Sequence, residues 1–149
     1  MKIDLKDVVE SLSHRGKTYY VCDYRRPDLS KKAARSLAPT QVVVLTNADY
    51  EEVGMTPPRV YYSNVALAKV TKNGEPKYKS LVPPFDNTGY RSFTGIGINV
   101  FDNMDECVDF YNAQVQAVVD VIEENKKFAV ERLQEQIDET KTLIITKKG

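Results

Sequence analysis

The sequence predicts an α+β fold: a small, strongly curved antiparallel sheet or barrel-like core of about five strands, a short N-terminal helix and a long C-terminal amphipathic helix. Two observations carry this. Up to residue 101, strand-length runs of β-branched and tyrosine residues alternate with proline and glycine turns. From Asn103 onward there is no proline and no glycine before Gly149, and apolar residues recur at helical spacing. Residues 1–103 therefore form the expected strand-rich core, and residues 104–149 a long helix and tail packed on it or projecting from it.

Asp4 to Arg15 places Leu5, Val8, Val9 and Leu12 at helical spacing, with Asp4 as N-cap and Gly16 as the stop. Thr18–Tyr24 is dense in β-branched and aromatic residues and predicts a strand that ends at Pro27. Asp28 caps a brief basic helix through Lys31, Lys32 and Arg35, terminated by Pro39. Gln41–Thr46, QVVVLT, lacks alternation, which predicts a central strand covered on both faces. The acidic stretch from Asn47 to Pro58 is expected to be a long loop. Arg59–Val70 and Lys77–Val82 then form a hairpin around Asn73-Gly74, a good two-residue type I′ turn. Pro83-Pro84 and the Asp86–Gly89 turn redirect the chain, so that Tyr90 and Arg91 emerge beside the sheet, and Ile96–Phe101 is a short strand.

Asn103 and Glu106 have the spacing of a capping box at the start of the long helix. Val108, Tyr111, Val115, Val118 and Ile122 follow in steps of three and four, and Val130, Leu133 and Ile137 resume the pattern after Asn125 and Lys126. A helix over residues 104–139 is longer than its own domain can cover, so it must break near Asn125, project, or pair with another chain. The tail Thr142–Thr146 has the composition of a strand added at a sheet edge.

Composition narrows the functional classes. The chain carries 21 basic and 21 acidic residues, with an excess of five positive charges up to Phe101 and of five negative charges after it. That asymmetry favours docking of the halves on each other or an anionic partner for the basic half. No apolar run is long enough to span a membrane, and MKIDLKDVVESL is not a signal peptide. Two cysteines, Cys22 and Cys107, are too few for a secreted disulfide scaffold; whether they pair is open on sequence alone, and a reducing, cytoplasmic setting is the expectation.

The chemistry-bearing residues form no catalytic motif. His14 is the only histidine, which excludes a histidine metal cage, and its position before Gly16 suits the C-terminus of a helix. A Cys22–His14 nucleophilic pair competes with a simpler reading of Cys22 as a packed strand residue. Asp4, Asp7 and Glu10 have cation-binding spacing, but a solvated helix face explains them. Neither a metal nor a cofactor is expected. Arg25, Arg26, Lys31, Lys32, Arg35, Lys77, Lys79 and Arg91 are interleaved with Tyr20, Tyr24, Tyr78, Tyr90 and Phe93. Cations that track phosphates beside rings that stack on bases are how single-strand binders work.

Two functions follow as expectations. The first is a non-catalytic interaction protein. It forms a homo-oligomer through a coiled-coil seam of Val115, Val118, Ile122, Val130, Leu133 and Ile137, and binds a protein partner through Tyr90, Arg91 and Phe93. The second is a single-stranded RNA- or DNA-binding protein using Arg25, Arg26, Lys31, Lys32, Arg35, Tyr78 and Lys79. An enzyme ranks behind both, because no acid–base pair or metal cluster is legible.

Overall fold

The computed structural model describes residues 1–24, 37–58, 65–82 and 98–146. It is α+β, with six strands among these residues, β1 (Lys2–Ile3), β2 (Thr18–Asp23), β3 (Leu37–Thr46), β4 (Val65–Val70), β5 (Pro76–Leu81) and β6 (Asn99–Phe101). The helices are α1 (Leu5–Glu10), α2 (Asn47–Glu52) and α3 (Met104–Lys141). The strands form one antiparallel sheet in the order β1-β6-β2-β3-β4-β5. With β1 and β5 at its two edges the sheet is open, so the described strands do not close into the barrel that the sequence allowed.

Strand β3 is central and apolar on both faces. Val42 and Val44 pack with Val8 and Val9 of α1 and with Tyr19, Val21, Leu67 and Val100; Val43 and Leu45 pack on the opposite side with Tyr50 and Ala68. A fully buried valine contributes about 1.5–3 kcal/mol, so this strand and its covers dominate the stability of the sheet. A third cluster joins Cys22 and Phe101 to Cys107, with Tyr20, Phe110 and Tyr111 against it. It seats the first turns of α3 on β2 and β6.

Several local expectations are corrected. The N-terminal helix is split: Ser11 is extended (φ −124°, ψ 137°), its Oγ accepts from the Ser13 amide at 3.1 Å, and a 3-10 turn over Leu12–His14 follows. A serine that satisfies a nearby amide offers the backbone an alternative to the helix. Pro39 lies inside β3 rather than ending a helix. It sits where the β2–β3 register shifts between Val21 and Asp23, and β4 pairs only with Val42–Thr46, so no ladder bond from β4 needs its missing N–H. The hairpin loop has three residues, not two. The Thr71 amide donates to the Glu75 carbonyl at 2.8 Å, the Gly74 amide to the Thr71 carbonyl at 2.9 Å, and only glycine takes the φ of 81° cheaply. Thr142–Thr146 forms a turn and irregular chain rather than a strand. The brief helix expected after Asp28 and the Asp86–Gly89 turn lie outside the described residues.

The expected acidic loop opens with α2. The Asp49 Oδ2 accepts from the Thr46 amide at 2.7 Å and from its hydroxyl at 3.0 Å, while Oδ1 accepts from Arg15 Nε at 2.9 Å and Nη2 at 2.7 Å. This carboxylate ties the turn after Leu12–His14 to the end of β3, and Tyr50, one residue on, is buried against the sheet. Burial opposes ionisation of Asp49, but the Thr46 and Arg15 donors outweigh it and hold the carboxyl below its usual range. A depressed carboxylate stabilises the fold above the unfolded value, near 4, and the stabilisation is lost as pH falls through the lower folded value. Asp49→Ala leaves the buried Thr46 amide without its acceptor and should cost about 2 kcal/mol at pH 7. Urea titrations of the two proteins should converge as pH falls below 4, and an equal gap at both ends would rule out this role.

Candidate interaction surface

Helix α3 begins in the sheet unit. The Asn103 Oδ1 accepts from the Glu106 amide at 3.1 Å, the forward half of the expected capping box. The Glu106 carboxylate instead engages the amino group of Met1. Phe110 packs on Phe101 with ring centroids 5.3 Å apart and carries Lys2 Nζ 4.8 Å from its centroid. Tyr111 meets Tyr24 edge-on at 5.9 Å. Cys107 and Cys22 are both free and wholly buried, and the Cys22 thiol points at the Cys107 carbonyl at 3.7 Å. Burial, then the neighbouring Cys107, pushes the Cys22 thiol up to about 12; burial also raises Cys107. Cys22 is thus a packed residue, and the nucleophilic pair is not formed: His14 Nδ1 is 2.6 Å from the Tyr19 hydroxyl.

The chain divides into two units, Met1–Asn112 and Ala113–Gly149, so the first turns of α3 belong with the sheet. The helix is continuous through Asn125, and its 38 residues span roughly 57 Å. Within the second unit the polar flank is closed by local pairs: Gln116 Nε2 donates to Asp120 Oδ1 at 2.8 Å and Gln134 Nε2 to Asp138 Oδ1 at 3.0 Å. The apolar seam has no such cover. Val115 and Val118 are half-buried, while Ile122, Val130, Leu133 and Ile137 are 46–58% exposed. Val119 adds to this face, while Val121 and Phe128 are exposed on the far side of the helix. Val119, next to Val118 of the seam, is seven residues from Lys126 and so shares the face that the seam marks. At the C-terminal end Leu133, Ile137 and Ile144 line an open hollow with Gln136, Thr140 and Lys141.

Of the other candidate residues, the structure describes Tyr20, Tyr24, Lys77, Tyr78 and Lys79. Arg25, Arg26, Lys31, Lys32, Arg35, Tyr90, Arg91 and Phe93 lie outside the described residues. Lys77 and Lys79 are exposed on edge strand β5, but Tyr78 between them faces the sheet, where Tyr50 packs edge-on at 5.4 Å and donates its hydroxyl to the Tyr78 carbonyl at 2.7 Å. Tyr20 and Tyr24 likewise pack against their own chain. Asp4, Asp7 and Glu10 are exposed, and among the described residues no cluster of His, Cys, Asp or Glu could hold a metal ion. Among the same residues no helix is long and apolar enough to cross a membrane. In comparisons of this chain with known proteins, no family model, no curated protein and no solved structure matches it.

The buried thiols and Tyr50, whose hydroxyl burial also raises to about 12, make the sheet unit sensitive to alkali. A raised folded value means that stability is complete below the unfolded value, near 9 for a thiol, and is lost as pH rises towards the folded one. Denaturation midpoints should therefore fall between about pH 9 and pH 12, with a shallower fall in Cys22→Ala. An unchanged slope in that variant would show that the thiol does not govern the loss.

Proposed function

We propose that this chain is a non-catalytic interaction protein that self-associates through the apolar face of α3. The observation that carries the proposal is the exposure of Ile122, Val130, Leu133 and Ile137 along one continuous helix. A soluble helix with an apolar stripe gains by covering it, and a contiguous exposed stripe marks an interaction site. The same proposal gives the strand and loop half a protein partner, met by Tyr90, Arg91 and Phe93. Two free, buried cysteines support a reducing, cytoplasmic setting. An enzyme is the least supported reading, since the single histidine is engaged by Tyr19 and the Cys22 thiol is held protonated.

Light scattering tests self-association. At tens of micromolar the protein should have a dimeric or larger mass, and Leu133→Asp with Ile137→Asp should reduce it to the monomer with the helical circular dichroism retained. A monomeric wild type would overturn the proposal.

The exposure of Lys77 and Lys79 on an outer strand favours a second reading, binding of single-stranded RNA or DNA. Affinity for an unstructured oligonucleotide should then fall steeply with salt, because each neutralised phosphate releases counterions. Lys77→Glu with Lys79→Glu should weaken it. No measurable binding at low salt would remove this reading.

A further inference from the structure

Self-association through α3 has a direction, and the residues along the helix select it. Three apolar pairs stand at equal distances on either side of Lys126: Ile122 and Val130 at four residues, Val119 and Leu133 at seven, Val115 and Ile137 at eleven. At 3.6 residues per turn all six project within roughly 40° of the direction of Lys126, so they share one face. A face of this kind is its own complement when a second copy is turned end for end about Lys126. Ile122 then lies opposite Val130, Val119 opposite Leu133, and Val115 opposite Ile137.

Charge selects the same direction. From Met104 to Glu124 the helix carries six acidic residues and no basic one, whereas from Asn125 to Lys141 it carries four of each. A parallel pair in register would set six carboxylates beside six. An end-for-end pair about Lys126 sets Asp120, Glu123 and Glu124 beside the balanced half, with Asp120 level with Arg132 and with Glu123 and Glu124 within one turn of Lys127 of the second copy. The helix dipoles also oppose one another favourably in that arrangement. Lys126 itself sits at the centre of the face, opposite Lys126 of the second copy, where its methylene stem can cover apolar surface while its ammonium turns outward to Glu123 at the edge of the face. A single polar residue at such a position sets register at some cost in stability.

We propose that the occupant of the α3 face is a second copy of this chain, paired antiparallel about a two-fold axis at Lys126; this rests on the self-association proposed above. The test uses the full chain. Val115→Cys and Ile137→Cys are made as single variants, co-expressed, and oxidised with copper phenanthroline, with the wild type, whose own thiols are buried, as control. The antiparallel pair gives a disulfide heterodimer of the two variants and no cross-link in either variant alone, because identical positions then lie about 33 Å apart. Val119→Cys with Leu133→Cys is a second pair with the same expectation, should either substitution in the first disturb the helix. Light scattering on the same samples separates the two claims. A monomer overturns self-association and this pairing together. A dimer in which Val115→Cys cross-links to itself, or in which neither mixed pair cross-links, overturns the antiparallel pairing and leaves self-association standing.

Discussion

The structure depends on covering one strand from both sides. Val42, Val43, Val44 and Leu45 are four consecutive buried residues, and since successive side chains of a strand point to opposite faces, neither face of β3 can be left to water. One face requires α1 with Val8 and Val9; the other requires Tyr50 of α2. The backbone joins in, with the Gly16 amide donating to the Val44 carbonyl at 2.9 Å and the Val44 amide to the Lys17 carbonyl at 3.0 Å. Arg15 and Asp49 then fasten the two covers' connections to each other across the end of the strand.

What was legible in the sequence follows from how local each signal is. The unbroken apolar run of β3, the Asn103 cap and the apolar period of α3 are properties of neighbouring residues, and the strand and the helix include the residues so marked, although β3 begins at Leu37, four residues before the expected start. Elements defined by distant partners were illegible. Lys2–Ile3 is a strand only because Val100 and Phe101 lie beside it, and α2 is a helix in which a single buried tyrosine and a carboxylate shared with Arg15 replace the usual apolar stripe. Pro39 is tolerated in β3 for a similar reason, a register shift that no local pattern encodes. Of the interaction surface, the seam was legible; the exposure of Val121 and Phe128 on the far side of the helix was not, because no apolar period includes them.

The two stretches of α3 are held by different physics. Starting a helix is the unfavourable step, and here it is taken where Asn103 caps the first turn and Cys107, Phe110 and Tyr111 are packed. Beyond Asn112 each added residue needs only propagation, which Gln116–Asp120 and Gln134–Asp138 assist. Asn125 and Lys126 therefore do not break the helix, since neither residue conflicts with helical geometry as proline would. The apolar face is carried along by a helix whose nucleation is secured elsewhere.

The placement of the two cysteines makes the chain its own clock for one motion. Both thiols sit in the joint between α3 and strands β2 and β6, without solvent access, and burial keeps the Cys22 thiol in the form that does not attack disulfides or alkylating reagents. A thiol reagent can therefore mark this protein only during the moments when that joint opens. The labelling rate, followed as reagent concentration is varied, reports how often the first turns of α3 lift from the sheet, with no foreign probe added and two adjacent positions reading the same event.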